Sequence, residues 1–175
     1  LDAGIVGVLL LIVVVSAHTC PVRSDWLERL IKDLRREPQI ALTYGRQIGW
    51  ESSKFGETLD FDRFFGPEPR VVTDHFFANN ANSALRRALW EKHPFDEHLP
   101  GLEDIEWARW ARTQGYTITY AHDAPIHHIH DESWSQVRRR YYREGIAARW
   151  IGWLKRRDLP VDVRQPELSA LVAER

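Results

Sequence analysis

Two groups of residues in this sequence have types and spacing suited to bond-making chemistry. The first is the acidic pair Glu103-Asp104. Pro100 and Gly101 break the chain ahead of it, Ile105, Ala108 and Ala111 recur behind it at helical spacing, and Gly115 is placed to stop the helix. The pair therefore stands in a first helical turn. Carboxylates there accept bonds from unpaired backbone N–H groups and gain about 0.3–1 kcal/mol from the helix dipole, so capping alone accounts for one of them. The second group is Ile126-His127-His128-Ile129-His130. On an extended segment His128 and His130 point to the same face, where two imidazoles can share a transition metal; the competing reading is surface histidines without a ligand. An acidic helix start followed by a histidine cluster after the next strand suits metal-assisted group transfer.

The elements that must position these groups can be read in turn. Tyr116 to Tyr120 alternates and is rich in β-branched and aromatic residues, which predicts a strand, and Asp123-Ala124-Pro125 predicts a turn after it. Val8 to Val15 is an unbroken apolar run, as expected of a parallel strand with both faces covered, whose carboxyl end is where ligands bind in open α/β sheets. The rival reading is a secretory h-region, but the chain opens Leu-Asp without basic residues, and the run is well short of the roughly 20 residues of a spanning helix. Asp25-Trp26-Leu27 opens a helical pattern through Leu34. Trp50 to Val72 reads as a loop with short helical pieces, its Phe55, Phe61, Phe64 and Phe65 forming either a sugar or lipid platform or pins for the loop. Phe76 to Ser83 reads as a strand and turn leading into a helix over Ala84 to Lys92. Its Asn80, Asn82 and Ser83 are placed either to bind sugar hydroxyls or to form the turn.

Trp134 to Arg157 has the spacing of a long amphipathic helix, with Ser133 as its cap. Arg138, Arg139, Arg140, Arg143, Arg149, Lys155, Arg156 and Arg157 decorate it, with Trp150 and Trp153 interleaved. Such a helix either lies on an anionic membrane surface, presents a solvated basic face, or lends an arginine such as Arg139 to a diphosphate. Residues 158–175 read as a loosely attached tail beyond a domain over 1–157.

Composition sets outer bounds. The chain has 175 residues, 43% hydrophobic and 28% charged, enough for one sizeable core without a second domain. Its 24 Lys and Arg against 25 acidic residues give no overall field toward nucleic acid. The lone Cys20 excludes an internal disulfide and a cysteine-based zinc site.

Taken in order, Asn80 to Arg87, Phe95-Asp96-Glu97, Gly101 to Asp104, Gly115 to Tyr120 and Ile126-His127-His128 resemble the C-terminal part of a family 2 glycosyltransferase of the GT-A fold. SAHTCPVRSDWL and ALTYGRQ resemble a branch of that family with Ser-Ala-His in place of Asp-x-Asp. The resemblance spans Ser16 to about Arg149. It implies an α/β domain with a Rossmann-like mixed sheet, and a nucleotide-binding N-terminal half that would precede this chain. It implies inverting transfer of a sugar from a nucleotide-diphosphate donor to a hydroxyl of a glycan or lipid-linked glycan. Asp104 would be the general base, Glu103 its helper, and His18, His128 and His130 the residues beside a divalent ion, magnesium or manganese. The setting would be cytoplasmic, peripheral at the inner face of the membrane.

A base removing the acceptor proton is worth about 10²–10⁴ in rate, and a divalent cation neutralises a departing diphosphate without consuming a proton. Two other classes stay open. A non-catalytic half-domain would bind a partner or membrane without turnover, and a metal-dependent hydrolase using the same residues would need no acceptor.

Overall fold

A computed structural model of the chain describes residues 10–68, 70–72 and 77–152. These form a mixed α/β unit around a six-stranded sheet. The strands are β1 (Leu11–Val15), β2 (Thr19–Pro21), β3 (Ile40–Gly49), β4 (Arg70–Val72), β5 (Asn82–Arg86) and β6 (Thr117–His128). The helices are α1 (Trp26–Arg36), α2 (Phe55–Phe64), α3 (Arg87–Trp90), α4 (Glu103–Thr113) and α5 (Trp134–Trp150). The main path runs β1-β5-β3-β6-β2, and β4 joins β6 beside it. Only β3 and β6 are parallel; the other pairings are antiparallel.

Helices cover both faces of the sheet. Leu30, Ile31 and Leu34 recur on one side of α1 and pack on Ile40, Ala84, Ala121 and Ala124, whose small side chains let the helix come close. On the other face α2 and α4 bring Phe61, Trp107, Ala108 and Ala111 onto Leu42, Tyr44, Leu85, Ile118 and Tyr120. The two clusters take alternate residues of β5 and β6, as the period-2 pleat requires. Each large side chain so buried contributes about 1.5–3 kcal/mol.

Several expectations hold. The pattern from Trp26 is a helix, Glu103-Asp104 opens one, and Ser133 caps α5 by accepting the Gln136 N–H at 3.4 Å while the Gln136 side chain returns a bond to the Ser133 N–H at 2.8 Å. Others are overturned by pairing partners distant in sequence. The apolar run before Ser16 is not a parallel strand covered on both faces: among the described residues β1 pairs antiparallel with β5 alone, turning Ile12 and Val14 to the core and leaving Val13 and Val15 exposed. Ala84 to Arg86 is a strand, not the start of a helix, because β5 is held between β1 and β3 and only the short α3 follows. Asp123-Ala124-Pro125 does not end its strand. Gly45 pairs with Ala121 and Gln47 with Ile126, so His122 to Pro125 stand against Arg46 alone as a bulge, and β6 runs on to His128.

Among the described residues no helix is long and apolar enough to cross a membrane. Val8 and Leu9, Phe76, the end of the basic helix from Trp153 to Arg157, and the tail 158–175 lie outside the described residues.

Candidate functional site

The bulge in β6 has a clamp beneath it. Asn82 is fully buried and donates through Nδ2 to the carbonyl oxygens of Arg46 (3.1 Å) and Ala124 (2.9 Å), while its Oδ1 accepts the Trp26 indole N–H (3.0 Å). Both donors and the oxygen serve the fold. A Cβ on Gly45 would lie 2.2 Å from Asn82 Nδ2 and 2.8 Å from the Ala124 carbonyl oxygen, so a residue without a side chain stands there. With the bulge fixed, the last residues of β6 arrive beside the end of β3, where Gly49 pairs with His128.

A chain of hydrogen bonds orients the first imidazole. The Ala81 backbone N–H donates to Asn79 Oδ1 (2.9 Å), which fixes the Asn79 amide; Gln47 Nε2 donates to the same oxygen (2.9 Å), so Gln47 turns Oε1 toward His128 Nδ1 (2.7 Å). His128 therefore carries its proton on Nδ1 and presents a lone pair at Nε2. Burial, with the positive charges of His130, Arg140 and His18, pushes its pKa down to about 4, so the ring is neutral at physiological pH.

His130 comes from the same face. Its Nδ1 lies 2.8 Å from Glu57 Oε1, and its Nε2 lies 3.0 Å from His128 Nε2. Two lone pairs at that distance repel, so the rings need a cation between them, either a shared proton or a metal ion. Burial pushes the Glu57 carboxyl up, but the Lys54 backbone N–H, the His130 ring and the Arg140 guanidinium outweigh it and hold it below the usual carboxylate range. Arg140 bonds both Glu57 and Glu132. Ligand atoms of Glu57, His130 and Glu132 lie within 4.8 Å of one another, a spacing open to a metal, but both carboxylates are already engaged by the Arg140 guanidinium. The imidazole pair is the better metal candidate.

Asp104 faces the same space. It is buried at the start of α4, accepting the backbone N–H of Asn80 at Oδ2 and of Ile105 at Oδ1, each at 2.8 Å. Burial, followed by the negative charge of Glu103, pushes its pKa up to about 7 against those bonds. Leu102, just before α4, sits in the left-handed region at φ 61°, a conformation that costs a non-glycine residue about 1–3 kcal/mol and recurs at functional sites. Asp104, His128, His130, Arg140 and Glu144 all line one cavity of about 380 Å³, walled also by Phe61, Phe64 and Phe77. That is the size of a small-molecule site. Burial raises the Glu144 carboxyl as well, and Tyr141 is pushed up to about 12 by burial and by its 2.7 Å bond to Asp60.

Not every sequence candidate reaches this cavity. Glu103 stands outside it and accepts from Asn80 Nδ2 at 3.4 Å, and Asn80 in turn holds Asp104 by its backbone N–H. Asn82 and Ser83 are buried in the sheet; Ser83 Oγ donates to Asn80 Oδ1 at 3.1 Å. Both make structural bonds, and neither is among the cavity's lining residues. His18 is exposed on the turn before β2 and is not among the cavity's lining residues; its carbonyl accepts the Ile129 N–H at 2.8 Å. Arg139 points to solvent with Trp134, Arg138 and Tyr142, and its neighbour Arg140 is the arginine at the site.

Gln47, Glu57 and Glu144 escaped the sequence reading, which places Arg140 only among the basic residues of the helix. For the two α5 residues a signal exists: buried Val137 and Ala148 set the helix phase, which turns Arg140 and Glu144 inward and Arg139 out. Compared with known proteins, the chain matches no family model and no curated sequence.

Proposed function

We propose that this chain is part of a GT-A type domain that carries out glycosyl transfer, moving a sugar with inversion from a nucleotide-diphosphate donor to a hydroxyl of a glycan or lipid-linked glycan. One observation carries the reading: a carboxylate that ionises near neutrality and a convergent imidazole pair line the same small cavity. A general base works best with a pKa near the working pH, and an ordinary surface aspartate lies far below it. Asp104 takes the proton of the acceptor hydroxyl as that oxygen bonds to the anomeric carbon. The bond from that carbon to the donor phosphate breaks, and its electrons leave with the nucleoside diphosphate. Phe61, Phe64 and Phe77 offer apolar faces to sugar C–H groups.

The residues fit a metal of a particular kind. Two imidazole nitrogens suit a transition ion such as zinc or iron better than magnesium or manganese, since the carboxylates that those harder ions prefer are bound to Arg140. When bound by His128 and His130, such an ion would neutralise a leaving diphosphate. The proposed setting is the cytoplasm, at the inner face of the membrane.

The same base and imidazoles would also serve a metal-dependent hydrolase, and one assay separates the readings. Purified protein that includes the nucleotide-binding half implied ahead of this chain is incubated with a panel of nucleotide sugars, with and without glycan acceptors, and nucleoside diphosphate release is followed. Transfer predicts release that needs an acceptor and falls about 10²–10⁴-fold in Asp104→Asn. Release without acceptor supports hydrolysis instead. Absence of any turnover across donors and metals would overturn both and leave a binding half-domain.

A further inference from the structure

We propose that the solvent face of α5, together with the exposed start of α2 beside it, docks on an anionic lipid surface. The inference rests on this surface alone and not on the reaction proposed above. Helix α5 buries Val137, Ala147 and Ala148, which leaves Trp134, Arg138, Arg139, Tyr142, Arg149 and Trp150 exposed on the opposite side. Within the helix the sole acidic residue, Glu144, turns to the cavity, so the outward face carries positive charge without internal compensation. Across the whole chain the charges nearly cancel at a net −1, so this face is a local concentration and not a share of a basic protein.

Apolar side chains accompany the charge. Helix α2 lies alongside α5 through three side-chain pairs: Lys54 over the Trp134 ring at 5.4 Å, Glu57 with Arg140, and Asp60 with Tyr141 at 2.7 Å. At the same end Phe55 is 79% exposed and Trp134 is 73% exposed, and Leu59 follows Phe55 one turn along α2. Exposed Phe, Leu and Trp beside arginines are what an interfacial helix uses: rings and aliphatic groups enter the headgroup boundary while guanidinium groups meet lipid phosphates. A nucleic acid would satisfy the arginines but give Phe55 and Leu59 no apolar partner. The lipid is therefore the better fit.

The test is co-sedimentation of the full chain with phosphatidylcholine vesicles, with and without phosphatidylglycerol. Binding is expected only where the anionic lipid is present, and should weaken with added salt. Each basic residue near an anionic surface is worth about 5-fold in partitioning, so Arg138→Ala/Arg139→Ala should lower it about 30-fold. Trp134→Ser should weaken binding without abolishing its salt dependence. Removing two exposed charges elsewhere, in Lys32→Ala/Arg35→Ala on α1, should leave it unchanged, and thermal melting of each variant checks the fold. Equal binding to neutral vesicles, no binding to either kind, or equal loss in the α1 pair would overturn the proposal. So would retention of duplex DNA without vesicle binding, which would assign the face to nucleic acid.

Discussion

Replacing Asp104 by asparagine should change how stability depends on pH, and the effect can be worked out without knowing any substrate. The carboxyl has a pKa of about 7 in the folded chain against an ordinary value of 3.8, because it is buried and faces the charge of Glu103. Between those values the native state holds a proton that the unfolded chain has released. Stability from this group is therefore full below the ordinary value and is lost as pH rises through about 7. At about 1.4 kcal/mol for each unit, the loss approaches about 4 kcal/mol. Asparagine has no charge to bury. Its amide fails one of the two backbone N–H donors from Asn80 and Ile105, a fixed cost of about 1–3 kcal/mol. The variant should accordingly be the less stable protein near pH 4 and the more stable one near pH 8, the difference between the two moving by about 4 kcal/mol across that range. Urea unfolding of both proteins at a series of pH values measures it, and groups common to the two cancel. A difference that stays flat with pH would mean that Asp104 ionises like a surface aspartate, and the argument for a base poised near neutrality would fall with it.

Three further outcomes are expected. His128, with an ordinary value of 6.5 and a folded pKa of about 4, contributes stability present above the former and lost as pH falls toward the latter, about 3 kcal/mol in all; His128→Gln should remove that acid-side slope in urea titrations. Gly45→Ala should destabilise by about 1–3 kcal/mol or more in thermal melting, because its Cβ meets the Ala124 carbonyl oxygen at 2.8 Å as well as the Asn82 amide, and the backbone atom cannot swing aside. Arg140→Ala should cost about 1.5–3 kcal/mol in chemical denaturation by removing one partner of the buried Glu57 carboxylate, which keeps the Lys54 N–H and the His130 ring, and adding Glu57→Gln should restore much of it, whereas Arg139→Ala should be nearly silent.

The parts of the site that could be read from sequence are those set by neighbours a few residues away. A helix start after Pro100-Gly101, the Ser133 cap, and the common face of His128 and His130 follow from periodicity and capping, and all are present. What was misread depends on partners far along the chain. Ala84-Leu85-Arg86 has good helix propensity, yet two neighbouring strands draw it into the sheet, since an unpaired gap between β1 and β3 would strand backbone N–H and C=O groups on both. The Asp123-Ala124-Pro125 run has turn chemistry and is a bulge, because Asn82, some 40 residues earlier, supplies a partner for the Ala124 carbonyl that a turn would have had to find locally. The same logic explains why His128 was found and its controlling residue was not. Its protonation is set through Gln47 and Asn79 by the backbone of Ala81, three contacts that no local pattern announces. Altering Gln47 should therefore disturb His128 although nothing in the sequence links them. Gln47→Leu would free Nδ1 to lose its proton to Nε2, removing the lone pair that faces His130 and with it the site's capacity to hold a cation there.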